Sequence, residues 1–396
     1  MILVIVSYVI VIDIILMYVI WSFAMNPFVY GRVVDREDFC SRPMLVEKLS
    51  AEIKRGQNVY IQGERRTGKT SLIYETVRRN RRYRPVYIDL LEVKTVDSLL
   101  KRVVSALVSS QQSQRFSLDR LFRGLAQLRP VVSLDPISGL PTISLDASVP
   151  TTPDSLSSVL DLVVSHHKRS KPLIVVFDEF QDILNLKNAR EVLALMRGRI
   201  QFHSAVAYVF AGSVRNRMDG IFTDAESAFF QSALPIRVGP LDGDLFCRFI
   251  EKRFRAGNRT ISKKTIRRIF DICAHIPGDI QQLCGAVWET TKPGETDADD
   301  PLPEAMERIF AQEIKTYETI LNIVSGRQLN VLAGIARFDG KRVLSNDFLR
   351  GVGIVQPSAV QAAVKRLTDL RILCKTDGRY RFVNPFFRAW LLHRNF

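Results

Sequence analysis

Hydrophobic positions follow three different rhythms along this chain. Residues 1–24 form an almost unbroken apolar run, with Asp13 the one charged residue among them. From Val59 to Ala211, short apolar runs alternate with amphipathic stretches; beyond Leu241 helical spacing takes over. The middle rhythm predicts strands at Val59–Ile61, Val86–Leu90, Leu173–Phe177 and Ala205–Ala211. Five consecutive apolar residues, Leu173 to Phe177, suit a parallel strand buried on both faces. Leu45, Val46, Leu49 and Ile53 recur at helical spacing and predict a helix over Pro43–Arg55. Further helices are expected from Lys69, over 96–110 and 116–129, and from a capping Asp154 to about His167. Val131–Ser148 has two β-patterned arms around Asp-Pro and Ser-Gly, the pattern of an inserted hairpin. Alternating strands and helices predict an α/β core built on a parallel sheet.

The third rhythm predicts lid helices at 242–256, 262–275 and 279–291, then an acidic, Pro-rich linker from Pro293 to Pro303 and a helix over about 304–324. Three short helices follow, Gln328–Phe338, Ser345–Arg350 and Pro357–Leu370. After them, arms at Ile372–Lys375 and Tyr380–Val383 flank Asp377-Gly378, a strong hairpin signal. Helix, helix, helix, hairpin is the order of a winged helix-turn-helix. The chain thus divides into a hydrophobic leader (1–24), an α/β core (25–240), a helical lid (241–292), a linker with its helix (293–324) and a winged helix (325–396).

Chemistry enters at the loop after the first strand. Gly63-Glu64-Arg65-Arg66-Thr67-Gly68-Lys69-Thr70, followed by Ser71, fits G-x-x-x-x-G-K-[ST] without a mismatch and lies between a strand and a helix, as a phosphate-binding P-loop requires. Such a loop wraps phosphates with backbone N–H groups, and the N-terminus of the next helix adds its positive dipole end. Lys69 is expected to reach the β- and γ-phosphates of ATP, and the Thr70 hydroxyl to ligate Mg²⁺. Asp178-Glu179 ends the most apolar strand, where open α/β sheets place their chemistry. With a P-loop upstream it reads as a Walker B pair: Asp178 holds Mg²⁺, and Glu179 orients or deprotonates the attacking water. Ser213, after the Ala205–Ala211 strand, stands where related ATPases place a polar residue that senses the γ-phosphate, and is the candidate for that role by resemblance, with Arg215 or Asn216 behind it. Arg197 and Arg199 are the candidates for arginine fingers acting in trans, in an assembly of several copies.

Charge changes the picture at the C-terminus. The whole chain carries a net +15, which argues for a large anionic partner. Residues 325–396 hold thirteen Lys and Arg against four Asp and Glu, a net of nine positive charges. A basic winged helix fits duplex DNA. The 357–370 helix would enter the major groove, presenting Gln356, Ser358, Gln361, Lys365 and Arg366, with Arg379 in the wing. Five scattered cysteines without a C-x-x-C pair argue against a disulfide framework or a zinc site, and so for a reduced, cytoplasmic setting. The apolar leader is long enough to cross a bilayer and lacks a basic n-region. Two readings stay open for it: a membrane anchor that leaves the ATPase on the cytoplasmic side, or a start placed upstream of Met25-Asn26-Pro27-Phe28.

Taken together, these residues resemble the archaeal-type AAA+ ATPase family, relatives of initiator and STAND-type ATPases. The resemblance rests on Asn26-Pro27-Phe28 with Gly31-Arg32, the Gly63–Ser71 loop, Asp178-Glu179-Phe180, Ala211-Gly212-Ser213, and Tyr380-Arg381-Phe382-Val383-Asn384-Pro385. It covers nearly everything from Met25 onward and implies a P-loop NTPase core of the AAA+/STAND kind, a helical lid and a C-terminal winged helix. One departure stands out: relatives often carry a lid arginine after a glycine, whereas Gly278 is followed by Asp279, Ile280 and Gln281. Three functions compete: an ATP-hydrolysing switch that engages DNA, a signalling or defence scaffold whose oligomerisation ATP controls, and a membrane-anchored regulator with the same ATPase core. A GTPase is disfavoured because no N-K-x-D follows the Walker B strand, and a metabolic kinase because no substrate-hydroxyl pocket is visible.

Overall fold

The computed structural model describes residues 25–110, 130–134, 141–145, 153–165, 172–294 and 300–396, apart from Ser41, Ala205, Val214, Asp377 and Asn395. The apolar leader and the helix expected over 116–129 lie outside these residues. Among the described residues no helix is long and apolar enough to cross a membrane. The chain forms two compact units, Val33–Gly239 and a second made of the residues up to Arg32 together with Pro240–Phe396.

The first unit is built on a five-stranded sheet of β1 (Val59–Gln62), β2 (Arg84–Asp89), β5 (Leu173–Asp178), β6 (Val206–Gly212) and β7 (Leu234–Arg237). Spatial order is β2-β5-β6-β1-β7 and every pairing is parallel. Because side chains alternate across a strand, each apolar run feeds two cores. Ile174, Val176, Val209 and Ile61 face one way, onto α1 (Pro43–Lys54) and α2 (Lys69–Arg79). Val175, Phe177, Tyr208 and Phe210 face the other, where α3 (Val96–Ser109), α4 (Pro153–Ser165), α5 (Ala189–Ile200) and α6 (Arg215–Phe222) supply the cover. Covering both faces is what lets central strands be continuously apolar. β3 (Pro130–Leu134) and β4 (Pro141–Leu145) pair antiparallel, as the two patterned arms of 131–148 predict. Strand β7 has no counterpart in the sequence reading. It is short, carries Pro235 and lies at the sheet edge, where a residue without an N–H can be tolerated.

In the second unit the lid helices are α7 (Gly243–Ala256), α8 (Lys263–Ile272) and α9 (Pro277–Thr290), close to the expected spans. Asp242 and Ser262 cap the first two by accepting N–H bonds from Leu245 and Thr265. The segment Asn26–Phe28 packs on this lid: Asn26 Nδ2 donates to the Gly285 carbonyl, Arg253 donates to the Pro27 carbonyl, and the Phe28 ring meets Phe254 and Trp288. Helix α10 (Leu302–Ile323) leads into α11 (Gly326–Arg337), α12 (Asn346–Val352), α13 (Pro357–Asp369), the β8–β9 hairpin (Leu373–Thr376 and Arg379–Phe382) and α14 (Pro385–His393). The sequence reading stops short of α14, although Asn384 caps it and Pro385 occupies its first turn, a legible start signal.

Candidate nucleotide site and winged-helix surface

The loop after β1 has little freedom. A Cβ on Gly63 would stand 2.4 Å from the Val238 carbonyl oxygen, and Gly68 sits at φ +85°, so both positions call for glycine. Arg66 also takes a positive φ, at 61°. Within this curl the Lys69 side chain folds back, its Nζ donating to the carbonyls of Gly63 at 3.0 Å and Glu64 at 2.9 Å. Thr67 closes the curl through its hydroxyl, which donates to Glu64 O at 2.8 Å. Lys69 is only 6% exposed and has no ion-pair partner among the described residues. Burial depresses its pKa, with Glu179 and Asp178 pulling the other way. Burying an ammonium costs free energy that the two loop carbonyls and the more distant carboxylates offset only in part. Arg65 and Arg66 are exposed, while the Ser71 hydroxyl accepts the Val34 N–H.

Strands β5 and β6 bring the second half of the site alongside. The register pairs Gln62 with Gly212 and Phe177 with Phe210, so the three strand ends finish level. Thr70 Oγ1 donates to Asp178 Oδ2 at 2.7 Å, and the Glu179 N–H donates to Asp178 Oδ1 at 3.0 Å. Burial raises the Asp178 pKa, and the Thr70 bond opposes that shift. Glu179 lies in the left-handed region at φ 49°, ψ 41°. Holding a non-glycine residue there costs on the order of 1 kcal/mol, which the surroundings must offset. Phe180 supplies that anchoring, buried against Phe177, Phe210, Phe222 and Phe229. Glu179 Oε2 accepts two bonds, from Ser213 Oγ at 2.8 Å and from Gln181 Nε2.

On the other unit, α13 turns Gln356, Ser358, Gln361, Lys365 and Arg366 to solvent and buries Val360, Ala363, Val364 and Leu367. Arg379 is committed to Asp339 at 2.8 Å, and the wing is pinned by the Tyr380 N–H donating to Gly340 O.

Comparisons with known proteins agree with this architecture. The family described as "Probable winged helix domain" matches residues 315–393. Its start inside α10 has a physical reason, because Tyr317 of α10 packs on Phe387 and Trp390 of α14. Among solved structures, a Walker-type ATPase of Pyrococcus abyssi matches with a TM-score of 0.62 at 20% identity, over 92% of this chain and 99% of that one. The ORC2 protein of Aeropyrum pernix, solved as ADPNP-ADP complexes, matches with a TM-score of 0.55 at 15% identity, over 93% and 98%. The ORC1 protein of the same organism, in complex with DNA, gives 0.51 at 12%, over 91% and 94%. No curated protein matches the sequence. The fold is that of a P-loop ATPase bearing a winged helix.

Of the residues singled out in the sequence, the structure brings Thr70 to Asp178 and Ser213 to Glu179. Arg199 is paired with Asp161 at 3.2 Å, and Arg197 is half-buried; the side chains of Arg215 and Asn216 lie outside the described ones. No group of three His, Cys, Asp or Glu forms a metal cage among the described residues. The Thr70–Asp178 pair suits Mg²⁺, which is commonly held by one or two protein oxygens with phosphates and water completing the shell. Two buried polar residues of this region escape the sequence reading of the site. Gln181 is only 2% exposed and touches Glu179 from two positions on. Its burial has no clear local signal, because the turn Phe180–Asn185 mixes Gln181, Asp182 and Asn185 with its apolar residues. Arg42 has no local signal at all, since its partners lie far along the chain.

Proposed function

We propose that this protein is an ATP-binding, ATP-hydrolysing switch whose basic winged helix engages duplex DNA. The observation that carries the reading is the junction of loop and strand ends, where Thr70, Asp178, Glu179 and Ser213 form one hydrogen-bonded run beside the buried Lys69. Backbone N–H groups of Gly63–Ser71 would cradle the phosphates, and Lys69 would exchange its loop carbonyls for β- and γ-phosphate oxygens. Thr70 and Asp178 would hold Mg²⁺, which supplies neutralisation of the charge developing on the phosphates. Glu179 would orient and deprotonate the attacking water through its carboxylate, fixed by Ser213 and Gln181. The relatives solved with ADPNP and with DNA support both halves of the reading as chemistry this fold can host. The exposed cations of α13 supply the surface that DNA would need.

One observation favours a second reading, a scaffold in which ATP controls assembly and turnover is slow. Gly278 is followed by a buried acid, Asp279, and not by the lid arginine that the family resemblance implies, so the lid lacks that means of coupling to the γ-phosphate. The deciding experiment is steady-state ATP turnover by the full chain with Mg²⁺, with and without duplex DNA at low salt. The switch reading expects turnover that DNA alters. Tight ATP binding without turnover and without DNA affinity would favour the scaffold.

A further inference from the structure

Arg42 is only 9% exposed, yet no carboxylate pairs with it among the described residues. Its fork is divided between two backbone carbonyls far apart in sequence. Nη2 donates to Thr67 O, inside the phosphate loop, at 3.0 Å, and Nη1 donates to Gly239 O at 2.8 Å. Gly239 is the last residue of the first compact unit, and Pro240 opens the second. Burial pulls the guanidinium pKa down to about 10, which leaves it charged at neutral pH. A buried arginine is costly, and carbonyl partners repay less of that cost than a carboxylate would.

The neighbouring contacts follow the same plan. Val238 N donates to Gln62 O at 2.8 Å, and its own carbonyl abuts the position where a Gly63 Cβ would stand. At the other chain crossing, Arg32–Val33, the Val34 N–H donates to Ser71 Oγ at 3.2 Å and the Arg36 N–H donates to Glu75 Oε2 at 3.3 Å. Both chain segments that leave this unit are therefore fastened to the phosphate loop, to the strand before it or to its helix. Among the described residues, Arg42 is the one side chain that grips both the loop's own curl and the exit segment with a single rigid group. A lysine, as a single point donor, cannot bridge two carbonyls in that way.

We propose that Arg42 is a positioning residue that ties the conformation of the phosphate loop to the exit strand at Gly239, so that nucleotide in the loop fixes the root of the second unit. The inference rests on the nucleotide-binding reading above. A ligand that orders Thr67 orders the guanidinium, and the guanidinium then holds the Gly239 carbonyl. The same chain works in reverse, as linkage requires.

Hydrogen–deuterium exchange on the full chain tests this, with and without Mg²⁺ and ADPNP, in wild type, Arg42→Lys and Arg42→Ala. In wild type, nucleotide should slow exchange over 63–70 and also over 238–243, the latter by about fivefold, the factor one ordinary hydrogen bond corresponds to. In Arg42→Lys the response over 63–70 should persist while that over 238–243 is lost. Arg42→Ala should repeat this result, and Arg42→Lys keeps the test valid if the alanine variant does not fold. An undiminished response over 238–243 in either folded variant overturns the proposal. So does a wild type that responds over 63–70 alone, or loss of nucleotide binding in Arg42→Lys, which would make Arg42 a binding residue. Absence of any response over 63–70 in wild type would instead overturn the nucleotide reading itself.

Discussion

Lys69 and Lys365 are both expected to meet phosphate, and their surroundings could hardly differ more. Lys69 is buried, its ammonium aimed by two loop carbonyls, its pKa depressed by desolvation. Lys365 stands exposed on α13, with no hydrogen bond or ion pair among the described residues. A fixed, desolvated cation acts through geometry and is little screened by salt. An exposed cation acts through its share of a field that counterions readily weaken. On the proposed function, one unit would depend on a few irreplaceable contacts and the other on a sum of replaceable ones.

The largest expected effect comes from Lys69→Ala. Its affinity for ATP should fall about a hundredfold or more, since each hydrogen bond to a charged group is worth roughly 1.5–3 kcal/mol. Titration with a fluorescent ATP analogue measures this, and retention of wild-type affinity would break the contrast between the two lysines. Glu179→Gln separates binding from chemistry. The amide keeps the shape, so ATP affinity should hold while turnover drops by about 10²- to 10⁴-fold. Unchanged turnover would remove Glu179 as the base.

How much of this was legible in the sequence depends on how far apart the partners lie. The P-loop and Asp178-Glu179 are consecutive residues with fixed local geometry, so motif and hydrophobic rhythm together place them. Strand β7 and helix α14 are local too, yet Pro235 blurred the first and the sequence reading did not use the Asn384-Pro385 cap. Arg42 was beyond reach for a different reason. Its contact with Gly239 spans 197 positions, and neither end carries a pattern. The Asn26–Phe28 segment is similar: its neighbour in sequence is the core, but its apolar partners, Phe254 and Trp288, belong to the lid helices. Even the paired state of Arg379 follows from the fold of the wing, not from its charge.

Glu75 offers an intermediate case between the two kinds of charge. Its buried carboxylate accepts from Arg78 and Arg79, whose own side chains reach solvent, and these bonds, Arg78 first, bring its pKa down to about 2. A carboxylate with a depressed folded pKa contributes stability above its unfolded value of about 4.3 and loses it as pH falls towards the folded one. Glu75→Gln should therefore cost about 2 kcal/mol near pH 7, after discounting for the partly exposed arginines. Denaturant melts across pH should show that cost shrinking between pH about 4 and about 2. A cost independent of pH would mean that the packing of Glu75, rather than its charge, is what matters.

The smallest single effects belong to α13, and there the slope is more telling than the affinity. If Lys365 and Arg366 meet DNA phosphates, each alanine substitution should lower the salt dependence of duplex binding by about one unit of log Kd per log salt. Fluorescence anisotropy from about 50 to about 200 mM salt reads that slope directly. Gln361→Ala should leave it unchanged, because an uncharged side chain releases no counterion. Arg379→Ala is the sharper control. Arg379 has the charge to contribute, but Asp339 holds it at 2.8 Å, so the pair adds little net field and its loss should move the slope less than the loss of Lys365. A larger change from Arg379 would mean that the wing releases its arginine to the duplex. The winged-helix surface would then depend, like the phosphate loop, on a contact that must first be exchanged.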